Sequence, residues 1–348
     1  MSLKTVFVGM SGGVDSSVTA AILKERGYRV IGVYMKNWTQ DIAGTICPWK
    51  EDYQDALKVS VQLDIELLVF DFQKEYKKKV VDYMISEYGA GRTPNPDIMC
   101  NQEIKFKLFL DTALERGADF VATGHYARIV DGKLFIARNI DKDQTYFLYR
   151  VNEDALQRVL MPIGEFETKA EVRKIAKNFK LVTANKRDSQ GICFVGKVGI
   201  KDFLSQYITT KPGSIIDQDG DDIGQHDGAI FYTIGQRSGL GVGGGLPYYV
   251  IGKNMEKNEV YVTNRLDDKK LWSKEISITD LSWITKSPAP KKKYMLRTRH
   301  RAPLVGVRIE QSGNFAKLLL DDEIRAVTSG QSAVIYDVDQ VVGGGIVV

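Results

Sequence analysis

Apolar runs and stretches of helical periodicity take turns over the first hundred residues. Residues 6–9 (Val-Phe-Val-Gly) form a buried strand pattern that ends in a glycine-rich turn. Val18, Ala21 and Ile22 then recur at helical spacing, predicting a helix over 15–26 that Gly27 stops. Strands are predicted at 30–35 and 66–71, with helices over 51–63 and 76–88. Two prolines and an Asn-Pro step make 91–100 a predicted loop. A helix over 104–116 and a strand over 120–123 continue the series. Such alternation implies an α/β domain with a parallel sheet.

After about residue 205 the texture changes. Glycines crowd 213–252, among short strand patterns at 229–233 and 248–251. From about 276 onward the alternation has period two, as in Tyr294-Met295-Leu296-Arg297 and at 305–309, 316–320 and 333–336. A chain of 348 residues exceeds one ordinary core. The reading is therefore three domains: α/β over 1–205, a small Gly-rich β domain over 206–274, and a C-terminal β-barrel over 275–348.

Composition narrows the class. At 43% hydrophobic and 26% charged the chain reads as soluble and globular, with no run long enough to span a bilayer. Its N-terminus has no signal-peptide pattern, and its three cysteines form no C-x-x-C. Both point to a reducing, cytoplasmic setting without a membrane partner. A net charge of +4 is uninformative, but Lys291, Lys292, Lys293, Arg297, Arg299, His300 and Arg301 cluster on a strand-like stretch. That cluster suggests a nucleic-acid partner.

The turn after the first strand reads Gly9-Met10-Ser11-Gly12-Gly13-Val14-Asp15-Ser16-Ser17. Its glycines allow close backbone approach to an anion, and the helix beyond it offers unpaired N–H groups. Ser11, Ser16 and Ser17 add hydroxyls, while Asp15 either caps the helix or holds Mg²⁺. The loop lacks the Gly-Lys-Ser/Thr ending that places a lysine on β- and γ-phosphates. It therefore suits ATP attacked at its α-phosphate, with pyrophosphate leaving. Cys100 and Cys193 both lie in polar loops rich in Gly or Pro, where a thiol can reach substrate, and Lys186, Arg187 and His125 are candidates to stabilise a thiolate. Cys47 reads as a small buried hydrophobe.

Several strings together resemble the bacterial tRNA-specific 2-thiouridylases, within the PP-loop (adenine nucleotide α-hydrolase-like) ATP pyrophosphatases. They are the phosphate loop, Thr93-Pro94-Asn95-Pro96-Asp97 with Cys100-Asn101, Ala122-Thr123-Gly124-His125-Tyr126-Ala127-Arg128, Asp188–Gly196, and Phe231-Tyr232-Thr233-Ile234-Gly235-Gln236-Arg237. The resemblance spans essentially the whole chain; Gln190 and Ser238 depart from the family's pattern. It implies ATP-dependent adenylation of the C2 oxygen of wobble uridine 34 in tRNAs for Lys, Glu and Gln. Sulfur then comes from a Cys193 persulfide, Cys100 forms a transient disulfide with Cys193, and Asp97 serves as acid/base. The implied ATP site adds Met35 and Gly124 to the phosphate loop, and the implied base site is Asn95, Pro96 and Asp97. The implied tRNA contacts are His125, Lys142, Asp143, Gln144, Arg299, His300, Gly330 and Gln331. A cysteine desulfurase or sulfur-relay protein is the implied donor. Two other enzyme readings use the same residues: an iron–sulfur cluster on Cys47, Cys100 and Cys193, or a different PP-loop adenylating ligase.

Overall fold

The computed structural model describes residues 3–41, 47–188, 199–243 and 245–348. Cys193 and Gln190 lie outside the described residues. Strands β1 (Thr5–Gly9), β2 (Arg29–Lys36), β3 (Glu66–Asp71) and β4 (Phe120–Ala122) are succeeded by a hairpin of β5 (Arg128–Val130) and β6 (Lys133–Phe135), then by β7 (Val159–Leu160). The first sheet has the order β3-β2-β1-β4-β7 and is parallel throughout, as the alternating pattern predicts. Parallel strands need crossovers, and helices α1 (Val14–Glu25) and α2 (Trp49–Gln62) supply the first two. Val6, Phe7 and Val8 are all buried, which suits a central strand covered on both faces.

The strand order reverses at β1, with β2 on one side and β4 on the other. At such a switch point the carboxyl ends of adjacent strands open a crevice. The Gly9–Ser17 turn and the Thr123–Gly124 turn leave β1 and β4 at that end.

Two local expectations fail. The region 91–100 is not all loop: a helix begins at Pro96 and runs to 115, with the more loosely wound turns Cys100–Leu108 inside it. Asn95 holds an extended conformation at the cap position, and a proline suits the first helical position because its missing N–H would be unpaired there anyway. Residues 229–231 form a short 3₁₀ turn and not a strand.

The central part is a four-stranded sheet of β8 (Gly213–Ile216), β9 (Asp222–His226), β10 (Tyr249–Asn254) and β11 (Glu259–Thr263). The last part comprises β12 (Trp272–Trp283), β13 (Tyr294–Arg297), β14 (Val305–Ser312), β15 (Phe315–Arg325), β16 (Ser332–Asp337) and β17 (Gln340–Val347). These are paired antiparallel, and β12 bonds to both β15 and β17, so the six close into a barrel. The β5–β6 hairpin of the α/β part extends the same sheet through Phe135 beside Gln340.

A buried ion pair ties barrel to α/β domain. Arg297 on β13 meets Asp143 at 3.1 Å, with side chains 6% and 0% exposed. Asp143 also accepts from Ala137 N and the Thr145 hydroxyl. Arg297→Met strands a buried carboxylate and is expected to cost about 3–5 kcal/mol. Urea unfolding checks this, and an unchanged midpoint would count against the pair's importance.

Candidate active site

The phosphate loop is built as its sequence requires. Gly12 has φ +72°, and a Cβ there would lie 2.3 Å from the Asp52 carbonyl oxygen, so only glycine fits. Gly124 lies against the start of α1, where a Cβ would stand 2.7 Å from Ser16 N. Met10 N bonds to Val33 O, and a Cβ on Gly9 would stand 3.0 Å from the Met35 side chain at the end of β2. Gly13 precedes α1 with no side-chain cap, which leaves the first-turn N–H groups of Val14, Asp15 and Ser16 for an anion. The hydroxyls of Ser16 and Ser17 both donate to the Gly13 carbonyl, and Ser11 lies 3.1 Å from Ser16. They hold the loop's shape.

Asp15 does not cap the helix. Its carboxylate is gripped by Lys169 at 2.6 and 2.7 Å and accepts from the Tyr126 hydroxyl at 3.1 Å. The lysine missing from the loop thus arrives from 154 residues away. Lys169 opens the helix Lys169–Asn178, whose start is fixed by a capping box between Thr168 and Glu171. A cation in the first turn opposes the helix dipole, and that local misfit is the signal by which sequence could have found Lys169. The same amine lies 3.0 Å from Asp188, which also pairs with Lys142 and Arg173. Burial works against the charge on Asp188, but hydrogen bonds from Lys142 and Lys169 hold its carboxyl below the usual range. Lys186 is paired with Asp52 and Asp55.

Asp97 and Cys100 sit one turn apart on the helix 96–115, so their side chains share a face. Cys100 is 1% exposed, which corrects the expectation of a loop thiol open to solvent. Cys47 is half-buried, its thiol 3.7 Å from the Trp38 carbonyl, and burial pushes its pKa up.

The implied tRNA contacts divide. Asp143 is wholly buried in its pair with Arg297 and presents no surface to RNA. His125 is buried as well: Lys105 approaches its Nε2 at 3.4 Å, Thr123 lies 2.8 Å from its Nδ1, and burial drives its pKa well below the ordinary value. Burial disfavours the charged ring that pairing with a thiolate would need. Gln144 accepts from Tyr126 N, Lys142 is paired with Asp188, and Gly330 N bonds to Val347 O. Gln331 donates to Thr93 O. Arg299 is exposed and donates to the Ile234 and Ala326 carbonyls; His300 packs on Phe147 at 4.6 Å, and burial lowers its pKa to about 4. In the basic cluster Lys292 and Lys293 are neutralised by Asp337 and Asp321. Tyr146 and Tyr149 are core residues.

Among the described residues no helix is long and apolar enough to cross a membrane. The chain matches three family models: a tRNA methyl transferase HUP domain at 4–197, a tRNA methyl transferase PRC-barrel domain at 201–264 and an aminomethyltransferase beta-barrel domain at 273–347. It is 48% identical to the tRNA-specific 2-thiouridylase MnmA of Bacillus subtilis, over 98% of this chain and 94% of that protein. The MnmA of Exiguobacterium sibiricum is 48% identical over 98% of this chain and 92% of its own length. That of Geobacillus thermodenitrificans is 46% identical over 98% and 93%. A phosphate loop at a sheet's switch point, a helix carrying Asp97 and Cys100 and a closed C-terminal barrel accompany this near-full-length identity, and the chain belongs to the MnmA family of tRNA-specific 2-thiouridylases.

Proposed function

We propose that the chain converts the wobble uridine of tRNA to 2-thiouridine by AMP-forming activation and then sulfur transfer. The observation that carries this is the near-full-length identity to proteins named as tRNA-specific 2-thiouridylases. The uncapped start of α1, the loop glycines and Lys169 suit a polyphosphate, with Met35 and Gly124 beside them. Bound ATP supplies the α-phosphorus that turns the uridine C2 oxygen into part of a good leaving group, AMP. Lys169 would move from Asp15 onto phosphate oxygens, freeing Asp15 for Mg²⁺.

Asn95, Pro96 and Asp97 would hold the target base, which must leave its stack for C2 to be reached. Asp97 would take and return the proton at the base. The terminal sulfur of a Cys193 persulfide attacks C2 and AMP departs. The Cys100 thiolate then attacks Cys193 Sγ; its S–S bond to the transferred sulfur breaks, a Cys100–Cys193 disulfide forms, and the sulfur stays on C2. An external thiol reductant resets the pair. Arg299 and His300 would position the tRNA backbone. The sulfur donor would be a cysteine desulfurase or relay protein, the setting the cytoplasm, and the substrates tRNAs for Lys, Glu and Gln.

The products of α-labelled ATP check the activation step. AMP and pyrophosphate formed only when tRNA is present are expected; ADP and phosphate would overturn it.

A further inference from the structure

Thr93 lies where the three parts of the chain meet. Its amide donates to the Ser329 carbonyl at 2.9 Å, and its own carbonyl accepts from Gln331 Nε2 at 2.9 Å. Its hydroxyl is 3.2 Å from that of Thr233. Ser329 and Gln331 lead into β16 of the barrel, whereas Thr233 belongs to the central part. Thr93 is buried, so these contacts are shielded from water. The approach is tight: a Cβ on Gly330 would stand 2.8 Å from Thr93 N, and one on Gly91 would meet the Met255 side chain at 2.6 Å. Arg92, next door, is locked to Glu87 through its Nε at 2.6 Å.

The proposed base site begins two residues beyond Thr93, at Asn95. Pro94 and Pro96 each have φ fixed, and residues before prolines are restricted as well, so the chain from Thr93 to Asp97 has few soft dihedrals. A shift at Thr93 is therefore passed on to Asn95, to the start of the helix 96–115, and so to Asp97 and Cys100.

We infer that Gln331 and Thr233 are positioning residues, which hold Thr93 from the barrel and from the central part and thereby place Asn95–Asp97 and Cys100 for reaction. Gln331 acts through the Thr93 carbonyl, whether or not it also touches tRNA. This rests on the thiouridylase reading for its catalytic consequence, but the anchoring can be read without it.

The full-length chain is compared with Gln331→Ala, Thr233→Val, Thr233→Ser and the double variant Gln331→Ala/Thr233→Val. Amide exchange over 91–100, tRNA affinity at fixed salt and thiolation at saturating tRNA are measured. Gln331→Ala and Thr233→Val should each speed exchange there and lower kcat by about 10- to 100-fold, and Thr233→Val should leave tRNA Kd within about twofold. The double variant should lose less than the product of the two, because both act on one residue. Thr233→Ser should restore exchange and rate. A Gln331→Ala chain with weakened tRNA binding and unchanged exchange would overturn the inference, as would unchanged kcat. A wild-type chain that made no 2-thiouridine would defeat the parent reading, while exchange would still decide the anchoring.

Discussion

Lys169→Ala is expected to lower AMP-forming activation by about 10²–10³-fold while tRNA binding is retained, the loss typical of removing one charged donor from a developing anion. No lysine stands between Gly9 and Ser17, and the positive charge there comes from Lys169, 2.6 Å from Asp15. Removing it takes away the amine and leaves the Asp15 carboxylate facing the phosphates. Asp188 keeps Lys142 and Arg173, so the fold around it should survive. Lys169→Arg should rescue poorly, because a planar fork does not replace a compact ammonium held by two carboxylates. AMP release per unit time at saturating ATP is the measurement, and a variant within about threefold of wild type would show that Lys169 merely neutralises Asp15.

Cys193→Ser is expected to abolish thiolation, below about 10⁻³ of wild type, while tRNA-dependent AMP release stays detectable. A serine hydroxyl cannot carry a persulfide, yet it leaves the phosphate loop, Lys169 and Asp97 untouched. Wild-type thiolation in this variant would mean that sulfide reaches C2 without a protein-bound carrier.

How much of this is legible in the sequence depends on the range of each signal. The phosphate loop is local: strand, turn and helix come one after another, and Gly12 is where the backbone demands it. The barrel shows itself through period-two alternation, clearest in β15, where Ala316, Leu318 and Leu320 are buried and the residues between them are less so. Its pairing with the β5–β6 hairpin does not, because contacts over some two hundred residues leave no local trace. The helix start at Pro96 is open to reading, since Asn-Pro is as good a helix opening as a breaker. Taken as breakers alone, the prolines of 91–100 hide that helix. Asp143 and His125 carry polar side chains that look available in a sequence; only the fold shows Arg297 and Lys105 beside them and burial around them. Lys169 leaves one readable clue, a cation at the start of a well-capped helix, where the dipole disfavours it.

If the ATP chemistry of this loop ends in sulfur at C2 of a tRNA uridine, the product itself decides the matter. Unmodified tRNA is incubated with the full-length chain, ATP, Mg²⁺ and a sulfur donor, and its nucleosides are analysed by mass. Expected are 2-thiouridine at the wobble position, one AMP released for each, and no thiolated nucleoside in the absence of ATP. AMP release with no thiolated nucleoside, or sulfur found at C4 of a uridine elsewhere in the tRNA, would contradict it.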